Sequence, residues 1–315
     1  MSTVLPELSE ALADAVSKAA AGLVRVEGRE RLPATGIVWD GEGLILTAHH
    51  VLERDENINV GFEDGETVTA ELVGRDPATD LAFLRTTKRD SSIPAWAGPE
   101  DLRVGHMVLA LGRPGKNVQA TLGIVSALGN SWRTPAGGPV DRYLQTDTVM
   151  YPGFSGGPLV DAQGRFVGLN TSALLRGVSI TVPVPILNRV VQDLSEHGSV
   201  RRAYLGVGAQ PNRLPDGIAK ELGQETGLLL VSVEQGSAAE EGGMFLGDTL
   251  VSLIGTTVRH MDDLFTALDG GLIGKSVPAR ILRSGRLEEL TVTPPVHPYG
   301  AVHGYSSIPA KLRSW

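Results

Sequence analysis

Apolar residues recur along residues 23–184 in runs of three to six, each too short for a helix. Leu23-Val-Arg-Val26, Gly36-Ile-Val-Trp39, Leu44-Ile-Leu46, Val68-Thr-Ala-Glu-Leu-Val73, Leu81-Ala-Phe-Leu84, Val108-Leu-Ala-Leu111, Phe166-Val-Gly-Leu169 and Ile180-Thr-Val182 read as strands. Asp40-Gly41, Glu42-Gly43 and Asp64-Gly65 flank them, and such pairs favour tight reversals between strands. Many short strands without long helices between them predict a mostly β fold, as a sandwich or as barrels. The pattern differs at both ends of this region. Leu8, Leu12, Ala15 and Ala19 recur at helical spacing among Glu7, Glu10, Asp14 and Lys18, so residues 1–22 predict an amphipathic helix. Ile186, Leu187, Val190, Val191 and Leu194 form a second helical stripe, with Gly198 as its expected cap.

Arg201-Arg202-Ala203 then reads as a connector, and a new pattern starts at Tyr204-Leu205-Gly206-Val207. Gly236-Ser-Ala-Ala239 and Gly247-Asp248 mark turns, residues 261–268 predict a helix, and residues 287–292 a closing strand. The expected organisation is a helix at 1–22, a β-rich domain at 23–198, a linker at 199–203, an α/β domain at 204–295 and a flexible Pro/Gly/Ser-rich tail at 296–315. A chain of 315 residues with 42% apolar content suits two globular domains. The net charge of −8, the absence of a basic block and an aromatic content of 5% exclude nucleic acid as the expected partner. The absence of cysteine excludes disulfides, thiol catalysis and cysteine-bound zinc, and the seven histidines show no metal-ligand spacing. No metal and no cofactor is therefore expected. The N-terminus lacks the basic start and unbroken apolar core of a secretory signal, and no run is long enough for a membrane span. These features predict a cytoplasmic location, with a periplasmic one if a leader has been removed.

Candidate chemistry centres on Tyr151-Pro-Gly-Phe-Ser-Gly-Gly-Pro-Leu159. Glycines at 153, 156 and 157 surround Ser155, and Pro152 and Pro158 fix the backbone on either side. Such a loop can turn N–H groups inward beside a hydroxyl, as acyl transfer requires for its oxyanion. A serine hydroxyl also needs a base, and the base needs an orienting carboxylate. Leu44-Ile-Leu-Thr-Ala-His-His-Val51 ends an apolar run in two histidines, and Asp76-Pro-Ala-Thr-Asp-Leu-Ala-Phe-Leu84 presents Asp80 at the head of another. The order His50, Asp80, Ser155 is that of chymotrypsin. In an extended strand His49 and His50 would face opposite ways, so only one can enter a cleft.

With these residues, Thr47-Ala-His-His-Val51, Thr79-Asp-Leu-Ala82 and residues 146–159 resemble the three catalytic segments of the HtrA/Deg serine proteases. Gly123-Ile-Val-Ser-Ala-Leu-Gly129 and Val178-Ser-Ile-Thr-Val-Pro183 match that family's barrel strand and pocket wall. The resemblance, from about residue 10 to 295, implies a chymotrypsin-like pair of six-stranded β-barrels followed by a PDZ-like α/β domain. It implies catalysis by His50, Asp80 and Ser155, with backbone N–H groups of Gly153 and Ser155 as the oxyanion hole. Val178, Ile180 and Val182 are the implied specificity pocket, favouring aliphatic side chains before the cut. In the PDZ-like domain, Tyr204, Leu205, Gly206 and Val207 would hold a peptide carboxylate, and Met261, Leu264, Phe265 and Leu268 would flank the added strand. The implied partners are unfolded polypeptides, peptide C-termini and further copies of the chain, as a trimer or its multiples. The implied role is protein quality control, against the alternative of a non-proteolytic peptide-binding or chaperone module with a latent protease domain. One residue departs from the family: Phe154 stands where these proteases usually carry Asn. It can stabilise the loop by packing or hold the Gly153 peptide reversed, and the sequence leaves both open.

Overall fold

The computed structural model describes residues 4–89, 92–134, 139–140, 142–175, 178–197, 203–268 and 271–295. The chain forms two compact units that part between residues 200 and 201. In the first, α1 (Val4–Ala20) precedes β1 (Leu23–Glu27), β2 (Ala34–Val38), β3 (Leu44–Ala48), β4 (Ile58–Gly61), β5 (Thr67–Asp76) and β6 (Leu81–Thr86). These six strands close as a barrel in the order β1-β2-β3-β6-β5-β4. β2 and β3 are buried at every position, which is why they read as continuous apolar runs. β5 alternates instead, and a register shift between Leu72 and Gly74 bends it round the barrel.

A second barrel follows from β7 (Met107–Gly112), β8 (Gln119–Leu128), β11 (Leu144–Thr146), β12 (Pro158–Asp161), β13 (Phe166–Thr171) and β14 (Ser179–Pro183). Its order is β11-β14-β13-β12-β7-β8, and a two-stranded ribbon, β9 (Trp132–Arg133) with β10 (Pro139–Val140), lies between β8 and β11 in sequence. The mostly β architecture of two six-stranded barrels is the expected one. α1 docks through Ala15 and Ala19, both buried, with the Ala15 carbonyl against Gly164 in the β12–β13 turn. α2 (Val184–His197) inserts Ile186, Leu187 and Val190 into the main core. The expected cap Gly198, the arginines of the connector and the tail lie outside the described residues. Full burial of each such aliphatic side chain contributes about 1.5–3 kcal/mol.

The second unit carries β15 (Val207–Arg213), α3 (Asp216–Leu222), β16 (Thr226–Val233), α4 (Ala238–Glu241), β17 (Thr249–Leu253), β18 (Thr256–Thr257), α5 (Met261–Ala267), β19 (Val277–Arg283) and β20 (Arg286–Val292). Its sheet runs β15-β16-β17-β19-β20, with β18 paired to β17 and β15 at one edge. Ser237 begins α4 by accepting a hydrogen bond from the Glu240 N–H. Strand structure starts at Val207, so residues 204–206 form a loop that leads into the edge strand.

Candidate active site

Asp80 is placed by a turn that its neighbours hold closed. Asp76 accepts bonds from the Ala78 N–H (3.2 Å) and the Thr79 hydroxyl (2.6 Å), so Asp76, and not Asp80, caps the turn after Pro77. Asp80 itself takes φ +58°, in the left-handed region that aspartate tolerates better than most residues. Its carboxylate is only 2% exposed. Oδ1 accepts the His50 backbone N–H at 2.9 Å, and Oδ2 pairs with His50 Nδ1 at 2.8 Å. The Thr171 hydroxyl also donates to Oδ2. These bonds keep Nδ1 as the donor and leave Nε2 as the basic nitrogen of His50.

The two histidines are not extended. They open a short 3-10 turn at His49–Val51, immediately after β3. His50 therefore reaches Asp80, while His49 Nδ1 accepts a bond from Arg75 Nη1 at 3.3 Å. Burial, with the Arg75 guanidinium beside it, holds the His49 imidazole below the ordinary histidine range. A neutral His49 thus serves as an acceptor. A cavity of about 640 Å³ opens beside this turn, lined by His49, His50, Leu52, Arg54 and Arg75 among others.

The Ser155 loop is tied down nearly throughout. The Phe154 N–H donates to the Tyr151 carbonyl (3.0 Å), the Gly156 N–H to that of Asn170 (3.0 Å), and the Gly157 N–H to that of Phe154 (2.9 Å). The Gly153 and Ser155 N–H groups, in contrast, donate to nothing among the described residues. Gly153 adopts φ +93°, and a Cβ there would lie 2.5 Å from Pro114 Cβ, so only glycine fits. The Ser155 hydroxyl pairs with Ser172 Oγ at 3.2 Å and with no other group among the described residues. Phe154 is fully buried in the second barrel with Leu102, Val108, Val125, Leu144 and Leu159, and it meets Tyr151 edge to face at 5.8 Å. Of the two roles open to it, the structure displays packing.

Residues 34–169 match the family model described as a trypsin-like peptidase domain. A "Probable periplasmic serine endoprotease DegP-like" of Chlamydia trachomatis is 31% identical over 275 residues, covering 85% of this chain and 55% of that protein. "Protease Do-like 1, chloroplastic" of Arabidopsis thaliana is 33% identical over 278 residues, covering 82% of this chain and 62% of its own. Among solved structures, "HtrA-type protease AlgW with decapeptide" superposes with a TM-score of 0.70 at 27% identity, over 91% of this chain and 99% of that one. The serine endoprotease from Yersinia pestis gives 0.70 at 26% identity, over 91% and 98%. Over most of its length the chain is thus similar to the HtrA/Deg serine proteases. It spans little more than half the length of the curated relatives it matches first.

These similarities overturn one expectation. The cytoplasmic location inferred from the N-terminal pattern does not stand, because the bacterial relatives that the chain matches first are named as periplasmic endoproteases. That expectation rests on the hydropathy of residues 1–22 alone. Among the described residues no helix is long and apolar enough to cross a membrane.

The implied pocket wall is only partly at hand. Ile180 and Val182 have 1% and 0% of their surface exposed and fill the main core, whereas Val178 is half-buried. β14 is packed on both faces, since Thr181 is also buried, donating to Asn170 Oδ1. In the second unit, Leu205, Leu264 and Leu268 are buried core residues, and Val207, Met261 and Phe265 are half-buried. The Leu205 and Gly206 N–H groups have no acceptor among the described residues, and Gly206 takes φ +79°.

Sequence reasoning passed over Thr171 and Ser172, which reach Asp80 and Ser155. Their signal is weak but present: Asn170-Thr-Ser172 is a polar triplet directly after the apolar run Phe166-Val-Gly-Leu169.

Proposed function

We propose that this HtrA/Deg-like chain is a serine endopeptidase acting on unfolded or damaged polypeptides outside the cytoplasm, in protein quality control. The observation that carries the reading is the pairing of Asp80 with both the ring and the backbone of His50, opposite a serine loop whose two unused N–H groups belong to Gly153 and Ser155. In the proposed cycle the Ser155 hydroxyl leaves Ser172 by rotation about one side-chain bond and turns to His50 Nε2. Ser155 Oγ attacks the peptide carbonyl as His50 takes its proton, and Asp80 stabilises the imidazolium. The Gly153 and Ser155 N–H groups hold the oxyanion, each contributing about 3 kcal/mol of barrier reduction. His50 then returns the proton to the leaving amine, and water repeats the sequence on the acyl-enzyme.

Residues 204–295 are proposed as a PDZ domain that reads peptide C-termini. A carboxylate would take the Leu205 and Gly206 N–H groups, and the peptide would add to the free edge of β15, alongside α5. Met261 and Phe265, half-buried on α5, supply the apolar side of that groove, and Tyr204 and Val207 its mouth. Assembly as a trimer or its multiples is part of the proposal and is supported by the family resemblance alone. The test is digestion of casein, with and without a peptide ending in apolar residues. Cleavage that Ser155→Ala removes, and that the peptide alters, is the expected result. Peptide binding with no cleavage under either condition would instead favour the non-proteolytic module.

A further inference from the structure

Thr35 lies on β2 of the first barrel, 118 residues before the glycine it contacts, and is fully buried. Its hydroxyl donates to the Gly153 carbonyl at 2.7 Å and accepts the Arg113 N–H at 2.7 Å. Its own N–H donates to the Ser155 carbonyl at 3.3 Å, and its carbonyl accepts the Thr47 hydroxyl at 2.7 Å. One residue therefore holds the carbonyls on both sides of Phe154.

The consequence follows peptide by peptide. The 153–154 peptide is fixed at both ends, by Thr35 Oγ1 on its oxygen and the Tyr151 carbonyl on its nitrogen. The 155–156 peptide is fixed likewise, by the Thr35 N–H and the Asn170 carbonyl. The 154–155 peptide is held through its oxygen by the Gly157 N–H, and its Ser155 N–H has no acceptor among the described residues. Without the Thr35 hydroxyl the Gly153 carbonyl is released, and the glycine at φ +93° can swing its peptides with little steric cost. Phe154 resists from the second barrel, where its ring lies so close to Gly112 that a Cβ there would sit 2.6 Å from Cδ1.

We infer that Thr35 is the positioning residue of the oxyanion loop, holding the Gly153 and Ser155 N–H groups ready before substrate arrives. The inference rests on the serine-protease reading above. It does not touch substrate directly, so its signature is in the rate and not in binding.

Thr35→Val keeps the shape and removes the hydroxyl, while Thr35→Ser keeps the hydroxyl. In the full chain, assayed well below the melting temperature of each variant, Thr35→Val is expected to lower fluorophosphonate labelling and kcat on the order of 10-fold to 100-fold, with KM changed less than about threefold. Thr35→Ser is expected to restore both to within about threefold of the parent. Hydrogen exchange at the Phe154 N–H, which needs no activity, should speed up in Thr35→Val and stay slow in Thr35→Ser. Parent-like labelling and exchange in Thr35→Val would overturn the role of Thr35. A parent protein that is never labelled would overturn the protease reading, while the exchange comparison would still decide whether Thr35 holds the loop.

Discussion

Two loops, one in each unit, leave consecutive or near-consecutive backbone N–H groups without acceptors among the described residues, beside a glycine of positive φ. In the first unit they are Gly153 and Ser155; in the second, Leu205 and Gly206. On the proposed reading, both receive an oxygen bearing negative charge. They differ in what stands next to them. The Ser155 loop has a hydroxyl and, across the barrels, a histidine already oriented by a buried carboxylate. The 204–207 loop is backed by Leu205, Leu264 and Leu268 and opens on the free edge of β15. The same backbone device can stabilise a transient oxyanion in one place and hold a resting carboxylate in the other. Side chains, and not the loop, decide between reaction and recognition.

Removing the proposed nucleophile or its orientation is expected to have the largest effect. Ser155→Ala should abolish labelling and casein cleavage without lowering the melting temperature. Asp80→Asn should lower kcat by about 10⁴-fold, because the amide favours the wrong His50 tautomer. If Asp80→Asn keeps parent activity, the His50–Asp80 pairing is structural only. Phe154→Ala comes next: emptying a fully buried aromatic site should cost about 3–5 kcal/mol by denaturant unfolding, with Phe154→Leu costing clearly less. A neutral result would mean that the loop does not depend on its anchor in the second barrel.

The second unit gives a smaller and different effect. A Cβ on Gly206 would lie 2.2 Å from Ser237 Cβ, at a φ that disfavours alanine. Gly206→Ala should weaken peptide binding by isothermal titration about 10-fold, about 1.4 kcal/mol, and leave fluorophosphonate labelling unchanged. Loss of labelling with intact peptide binding would invert the assignment of the two loops. The smallest effect belongs to His49. Its folded pKa is lowered, so its contribution to stability is complete above the unfolded value near 6.5 and is lost as pH falls through the lower folded value. Melting temperatures between pH 7.5 and 5 should fall less steeply in His49→Gln than in the parent.

The proposed catalytic order was legible because His50, Asp80 and Ser155 each sit at the end of a recognisable apolar run or in a glycine-rich turn, where local sequence and local structure coincide. Both barrels were legible in outline for the same reason. β4 and β12 left no pattern to read since each is only four residues long, and β8, with little burial to mark it, was placed at residues 123–129 by resemblance alone. Thr35 and Thr171 were not legible at all. Each is a threonine in an ordinary strand whose partner is set by barrel closure, 118 and 91 residues away. Phe154 was ambiguous, because an aromatic in a glycine-rich loop can face either way until the cluster around Leu102, Val125 and Leu159 is known.

Ser155, activated through His50 and Asp80, is the proposed nucleophile. The most direct measurement is peptide mapping by mass spectrometry of the full chain after reaction with a fluorophosphonate. A single adduct is expected on Ser155, absent in Ser155→Ala and strongly reduced in Asp80→Asn. An adduct on Ser172, the hydroxyl 3.2 Å away, or labelling that Asp80→Asn leaves untouched, would contradict it.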